Sequence, residues 1–240
     1  MKTILFDIDG TLILTGGAGQ RAFAQTFADD FGVPEISVQV AFAGRSDRAI
    51  SRDLMLAHDI EPSESNWQRF REGYLGRLPE ALRKGSGRVL PGVLPLLERL
   101  AEFPIHLGLL TGNIREGAEQ KLTHYNLWHR FAFGGYGDDH FDRNDIAATA
   151  LAAARQHSRN RSTLLLTSPR EIEGKQPHHA ETVIVIGDTA NDIRCARAIG
   201  AIAVGVATGH TSTTELANEN PDLVIETLED TDVLLDWIAA

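Results

Sequence analysis

The chain has 240 residues, 42% apolar and 23% charged, with 33 acidic against 23 basic side chains and a formal charge of −10. At roughly 150 residues per domain this suits one large domain or a core with one small insert, long enough to fold without disulfides. The acidity argues against a nucleic-acid partner, whose phosphates demand clustered cations, and the lone cysteine, Cys195, excludes an internal disulfide and reads as a packing residue.

The first apolar run, 3–6, predicts a β-strand ending in Asp7-Ile8-Asp9-Gly10-Thr11-Leu12. Gly10 permits a tight turn there, which brings both carboxylates to one side. Two close carboxylates stay ionised together only beside a cation. An Asx-rich turn with no further duty is the plainer explanation of the same residues. From 15 to 87 helical patterns run without a confident strand. Phe23, Phe27 and Phe31 recur at i, i+4, i+8 as one buried stripe, and further helices are expected over 48–58 and 64–83. Gly17-Ala18-Gly19-Gln20-Arg21-Ala22 has the form G-x-G-x-x-A, but it stands too far from the strand for a dinucleotide-binding turn and suits a hinge. In Gly44-Arg45-Ser46-Asp47-Arg48 polar groups gather at a helix start. Arg45 or Arg48, with Ser46 and Asp47 beside them, could meet a substrate carboxylate; ordinary helix capping is the alternative.

Gly85-Ser86-Gly87 and Pro91-Gly92 lead into alternating elements: strands at 105–110, 183–186, 202–206 and 223–225, with helices at 114–124, 145–157, 190–199, 213–219 and 232–238. Fully apolar runs such as Val183-Ile184-Val185-Ile186 suit parallel strands covered on both faces. The alternation implies an α/β fold, a doubly wound parallel sheet, formed by 1–14 and 88–240 with a helical insert at 15–87. The stretch 158–181, basic and containing two prolines, reads as a long irregular loop.

In such sheets ligands bind beyond the carboxyl ends of the strands, and polar clusters stand at those ends. Asp188 and Asp192, in Gly187-Asp188-Thr189-Ala190-Asn191-Asp192, lie one helical turn apart. Either would serve as a helix cap, yet four carboxylates at two strand ends fit an oxygen-lined Mg²⁺ site better than independent caps. Thr111 and Gly112, in Leu110-Thr111-Gly112-Asn113, offer a hydroxyl and backbone N–H groups at a helix start, a ready phosphate cradle. Arg143, in Asp142-Arg143-Asn144-Asp145, could hold a phosphate by paired bonds.

These four pieces, in this order, resemble the haloacid dehalogenase superfamily, and within it phosphatases similar to phosphoglycolate phosphatase. The resemblance implies a Rossmann-like core with a small mobile helical cap after strand one. It makes Asp7 the nucleophile that accepts a phosphoryl group and Asp9 the acid and base. Mg²⁺ would be held by Asp7, the Asp9 backbone carbonyl, Asp188 and Asp192, and the phosphate by Thr111, Gly112 and a basic residue. The family commonly has a lysine at that last position. This chain has Arg143, with Lys175 as the alternative. Because Asp9 is present, phosphoryl chemistry is favoured over dehalogenation. The implied activity is a Mg²⁺-dependent hydrolysis of a small phosphorylated metabolite through an aspartyl-phosphate. A sugar-phosphate mutase and a non-catalytic binding protein on the same fold are the alternatives.

No apolar stretch approaches the about 20 residues that span a bilayer, and Met1-Lys2-Thr3 runs straight into a strand without a separate signal segment. A cytoplasmic protein with no membrane partner is therefore expected, monomeric by default.

Overall fold

The computed structural model describes residues 2–166, 182–229 and 231–239. Among these residues a six-stranded sheet forms the centre, in the order β5-β4-β1-β6-β7-β8. Its strands are β1 (Lys2–Phe6), β4 (Ile105–Leu110), β5 (Phe133–Gly135), β6 (Thr182–Gly187), β7 (Ile202–Val206) and β8 (Leu223–Ile225), all parallel. A separate antiparallel pair joins β2 (Ile13–Leu14) to β3 (Arg88–Val89).

The apolar runs behave as both-face-covered strands should. Ile4, Phe6, Ile184, Ile186, Val204 and Val206 face one layer, formed by α4 (Val93–Leu100), α5 (Arg115–His124) and α9 (Thr231–Ala239). Leu5, Val183, Val185 and Ala203 face the other, formed by α6 (Arg143–Leu166), α7 (Ala190–Ala198) and α8 (Thr213–Ala217). From β1 the chain builds outward through β4 and β5, then returns to the other side of β1 with β6. The reversal beside β1 makes the crevice at the carboxyl ends of β1, β4 and β6 the natural ligand position.

Between β2 and β3 lie three helices, α1 (Ala18–Phe31), α2 (Asp47–Ala57) and α3 (Glu64–Lys84). They share an apolar cluster of their own, in which Phe23 and Phe27 meet Phe70 and Tyr74; Phe31 packs at its margin. The β2–β3 pairing, Ile13 opposite Val89, brings the entry and exit of this helical segment together. Gly16 and Gly17 at its entry adopt positive φ, at 60° and 79°, as a hinge-like glycine run would allow.

One expectation needs correction. Helix α6 does not stop near residue 157 but continues to Leu166, so the first part of the expected 158–181 loop is helical. No glycine or proline interrupts the chain before Pro169, and the basic and polar residues of 158–163 are compatible with a helix. Residues 167–181, including Lys175, lie outside the described residues. Among the described residues, no helix is long and apolar enough to cross a membrane.

Candidate active site

Asp7 follows directly on β1, and its N–H donates to Ile186 O at 3.0 Å, extending the β1–β6 pairing by one residue. The chain then folds back: Leu12 and Ile13 N–H groups both donate to Ile8 O, at 2.9 and 3.1 Å. Gly10 makes this possible with φ +90°, and a Cβ there would lie 2.3 Å from Asp188 Oδ2. Thr11 in the same turn donates its hydroxyl to Asp188 Oδ1 at 3.0 Å.

On β6 the corresponding device is Gly187, where a Cβ would lie 2.2 Å from the Asp192 carboxyl carbon. Thr189, not Asp188, is the N-cap of α7. Asp192 does two things at once. One oxygen accepts from the Thr189 N–H and hydroxyl, at 3.0 and 2.7 Å, closing a capping box; the other meets Arg143. The capping and site readings of Asp192 are thus compatible.

Asp7, Asp188 and Asp192 are all buried, and one oxygen of each lies within 4.8 Å of the others. Arg143, the first residue of α6 and 7% exposed, reaches in behind them. Its Nη2 donates to Asp7 Oδ1 at 2.8 Å and to Asp192 Oδ1. Burial opposes the guanidinium charge, but Asp192 and Asp7 outweigh it, and its pKa rises well above the ordinary value. Burial, together with Asp192, pushes the Asp7 carboxyl up against the opposing pull of Arg143. Burial, Asp7 and Asp192 push Asp188 up as well. Three buried carboxylates facing one guanidinium are short of positive charge, and their donors are hard oxygens. That combination fits a small divalent cation such as Mg²⁺. Cys195 close by is buried, and burial pushes its thiol up to about 12.

Asp9 is the exposed member of the first motif, its side chain 41% accessible. Its Oδ2 accepts from Asn113 Nδ2 at 2.9 Å and from Lys121 Nζ at 2.7 Å. Lys121 also donates to Asn113 Oδ1 at 2.5 Å and is 5% exposed. The sequence reading missed it. A lone lysine two turns into a helix rich in charge gives no signal, although a long side chain leaning toward the helix N-terminus could have suggested it.

Thr111 is buried at the end of β4, its hydroxyl accepting from Asn113 N and Nδ2, at 3.3 and 2.6 Å. The sequence reading expected free N–H groups at the next helix start, but two of them are taken. The N–H of Ile114 is taken by Asp47 Oδ2 at 2.8 Å, and that of Arg115 by Asp138 Oδ2 at 2.9 Å. Residues 111–113 themselves line the cavity.

The helical segment closes the crevice. A cavity of about 460 Å³ lies between it and the strand ends, with Asp7, Asp9, Thr111, Gly112, Arg143 and Asp188 on its core side. Phe42, Arg45, Asp47 and Tyr74 line it from the segment. Arg45 is held by Asp53 Oδ2 at 2.5 Å and by Ala41 O at 3.2 Å. Ser46 caps α2 through Ala49 N and donates to Phe141 O. Arg48 points elsewhere, to Glu64, Asp138 O and the Trp67 ring.

Comparison with known proteins agrees with this architecture. The model of the haloacid dehalogenase-like hydrolase family matches residues 4–165, and a second, HAD-hydrolase-like model matches 147–231. The chain belongs to the haloacid dehalogenase-like hydrolases. The phosphoglycolate phosphatase of Synechococcus elongatus is 29% identical to this hydrolase over 237 residues, covering 96% of this chain and 95% of the relative. Among solved structures, a hydrolase from Pseudomonas syringae superposes with a TM-score of 0.70 at 22% identity, covering all of both chains. A predicted phosphoglycolate phosphatase from Haemophilus somnus gives 0.68 at 20% identity and 98% coverage of each. These two share the fold with this hydrolase.

Proposed function

We propose that this hydrolase cleaves phosphomonoesters of small metabolites with Mg²⁺, through a phosphorylated Asp7. The observation that carries the proposal is the buried Asp7–Asp188–Asp192 cluster, opening with Arg143 and Thr111 into one cavity. The names of its relatives make phosphoglycolate the first ester to try.

In this reading an Asp7 oxygen attacks phosphorus while the ester P–O bond breaks, and the departing alkoxide takes a proton from Asp9. Asp9 then removes a proton from water, which attacks phosphorus and releases phosphate from Asp7. Asp7, Asp188, Asp192 and the Asp9 carbonyl would hold Mg²⁺, which would supply charge neutralisation on the phosphoryl oxygens. Arg143 fixes Asp7 and adds positive charge behind the transferring group. Thr111 and Gly112 orient its oxygens. Residues 15–87 act as a cap over the core of 1–14 and 88–240 and exclude water. Arg45, on the cap side of the cavity, is the residue for a substrate carboxylate.

Phosphate release from an ester panel tests this. Wild type with Mg²⁺ is expected to be active; EDTA, or Asp7→Asn, is expected to lower kcat by about a thousandfold or more. Metal-independent release, or an active Asp7→Asn, would refute the mechanism.

A further inference from the structure

We infer that Asp47 is a positioning residue that ties the helical segment to the 111–114 loop, so that docking of one shapes the other. The inference rests on the reading of that loop as the phosphate cradle. Asp47 is the first residue of α2, where an acidic side chain ordinarily serves its own helix. Here Ser46 already caps α2, accepting from Ala49 N at 3.1 Å. The Asp47 carboxylate serves a different helix. It accepts the Ile114 N–H at 2.8 Å, at the start of α5, where the N-cap position is an isoleucine with no side-chain acceptor.

The same residue makes a second bond, its N–H donating to Gly112 O at 2.7 Å. One residue of the segment thus bridges both ends of Gly112-Asn113-Ile114. The backbones meet too closely for a side chain, since a Cβ on Gly112 would lie 2.0 Å from Arg45 O. The Ile114 side chain is buried in the segment's own apolar cluster, the one that also holds Phe70 and Tyr74. Asp47 itself is 7% exposed. When the segment lifts, Ile114 N–H and Gly112 C=O both lose these partners, and the loop loses the constraint that aims Thr111 and Asn113. Asp47 therefore acts on phosphate binding through the loop and touches no leaving group.

The test is a comparison of wild type, Asp47→Ala and Asp47→Asn, all with Mg²⁺. KM is measured for esters with different leaving groups, and inorganic-phosphate binding is measured calorimetrically, which needs no turnover. Asp47→Ala is expected to weaken phosphate binding and raise KM for every ester by the same factor, about tenfold, as befits a buried donor left unpaired. Asp47→Asn keeps an accepting oxygen and is expected to stay within about threefold. Ser63→Ala, which removes the cap of α3, weakens the same segment and is expected to leave phosphate binding unchanged. If Asp47→Ala does not fold, Asp47→Ser, too short to span to Ile114, is read in its place. A loss confined to some esters, or phosphate binding unchanged without the carboxylate, would overturn the inference. A wild type that binds phosphate but hydrolyses no ester would sink the phosphatase reading while leaving this one to the binding data; a wild type that binds no phosphate would sink both.

Discussion

Among the described residues, Lys121 and Arg143 are the two buried cations of the site, and each is held there by carboxylates: Asp9 for Lys121, Asp7 and Asp192 for Arg143. A buried cation persists only with such partners, and removing one member leaves an uncompensated charge. Lys121 and Asn113 share one Asp9 oxygen, and Asp9 lines the cavity. Lys121→Met is expected to lower kcat/KM for phosphate esters by about a hundredfold with the fold intact; an unchanged kcat/KM in a folded variant would reduce Lys121 to a structural ion pair. Arg143 was legible in the sequence because it stands at the start of a predicted helix, among polar residues. Lys121 was not, because its partners come from residues 8 and 112 positions away and no local pattern marks it.

Among the elements, the helical segment depends on its aromatic cluster. The Phe23 ring lies 4.7 Å from that of Phe70 and 4.8 Å from that of Tyr74, and all three are fully or almost fully buried. Phe70→Ala is expected to destabilise the protein by about 3–5 kcal/mol, read by urea denaturation. At the turn after β1, Gly10→Ala combines positive φ with a contact at 2.3 Å to Asp188. It is expected to cost activity more than stability, because the clash displaces a carboxylate of the site. Strand β5 shows why one element escaped the sequence reading. Phe133-Gly134-Gly135 has two glycines in three residues, against strand propensity. The glycine at 135 is required by α6, whose Ile146 O would lie 2.4 Å from a Cβ there.

For the whole molecule, protons and the proposed cation would compete for the same carboxyls. Burial raises the carboxyls of Asp7, Asp47 and Asp188, that of Asp47 from 3.8 to about 7. A carboxyl with a raised folded pKa binds its proton more tightly folded than unfolded. Its contribution to stability is complete below the unfolded value and is lost as pH rises through the folded one. The carboxyls shifted downward, such as Asp53 and Glu116, act below about pH 5 and with the opposite sign. In EDTA the Tm is therefore expected to fall between pH 5 and pH 8. Mg²⁺ is expected to raise the Tm more at pH 8 than at pH 6, since protons compete for the same oxygens. A Mg²⁺ effect independent of pH would count against Asp7 and Asp188 as its ligands.

The sequence by itself determined the alternation of strands and helices, the helical stretch after the first strand, and the carboxylates at the strand ends. Those features are local: apolar period, glycine turns, and polar residues where a strand stops. Asp7, Asp188 and Thr111 could be named because each sits at such a boundary, and Asp192 and Arg143 because each lies in the first turn of a helix; the parallel sheet then brings the strand ends to one edge. Only the tertiary structure decided that Asp192 caps a helix and faces Arg143 at once, that Lys121 meets Asp9, and that Asp47 caps a helix 67 residues away. Each of these joins side chains from different elements, and burial and packing distance, which no sequence period encodes, select the partner.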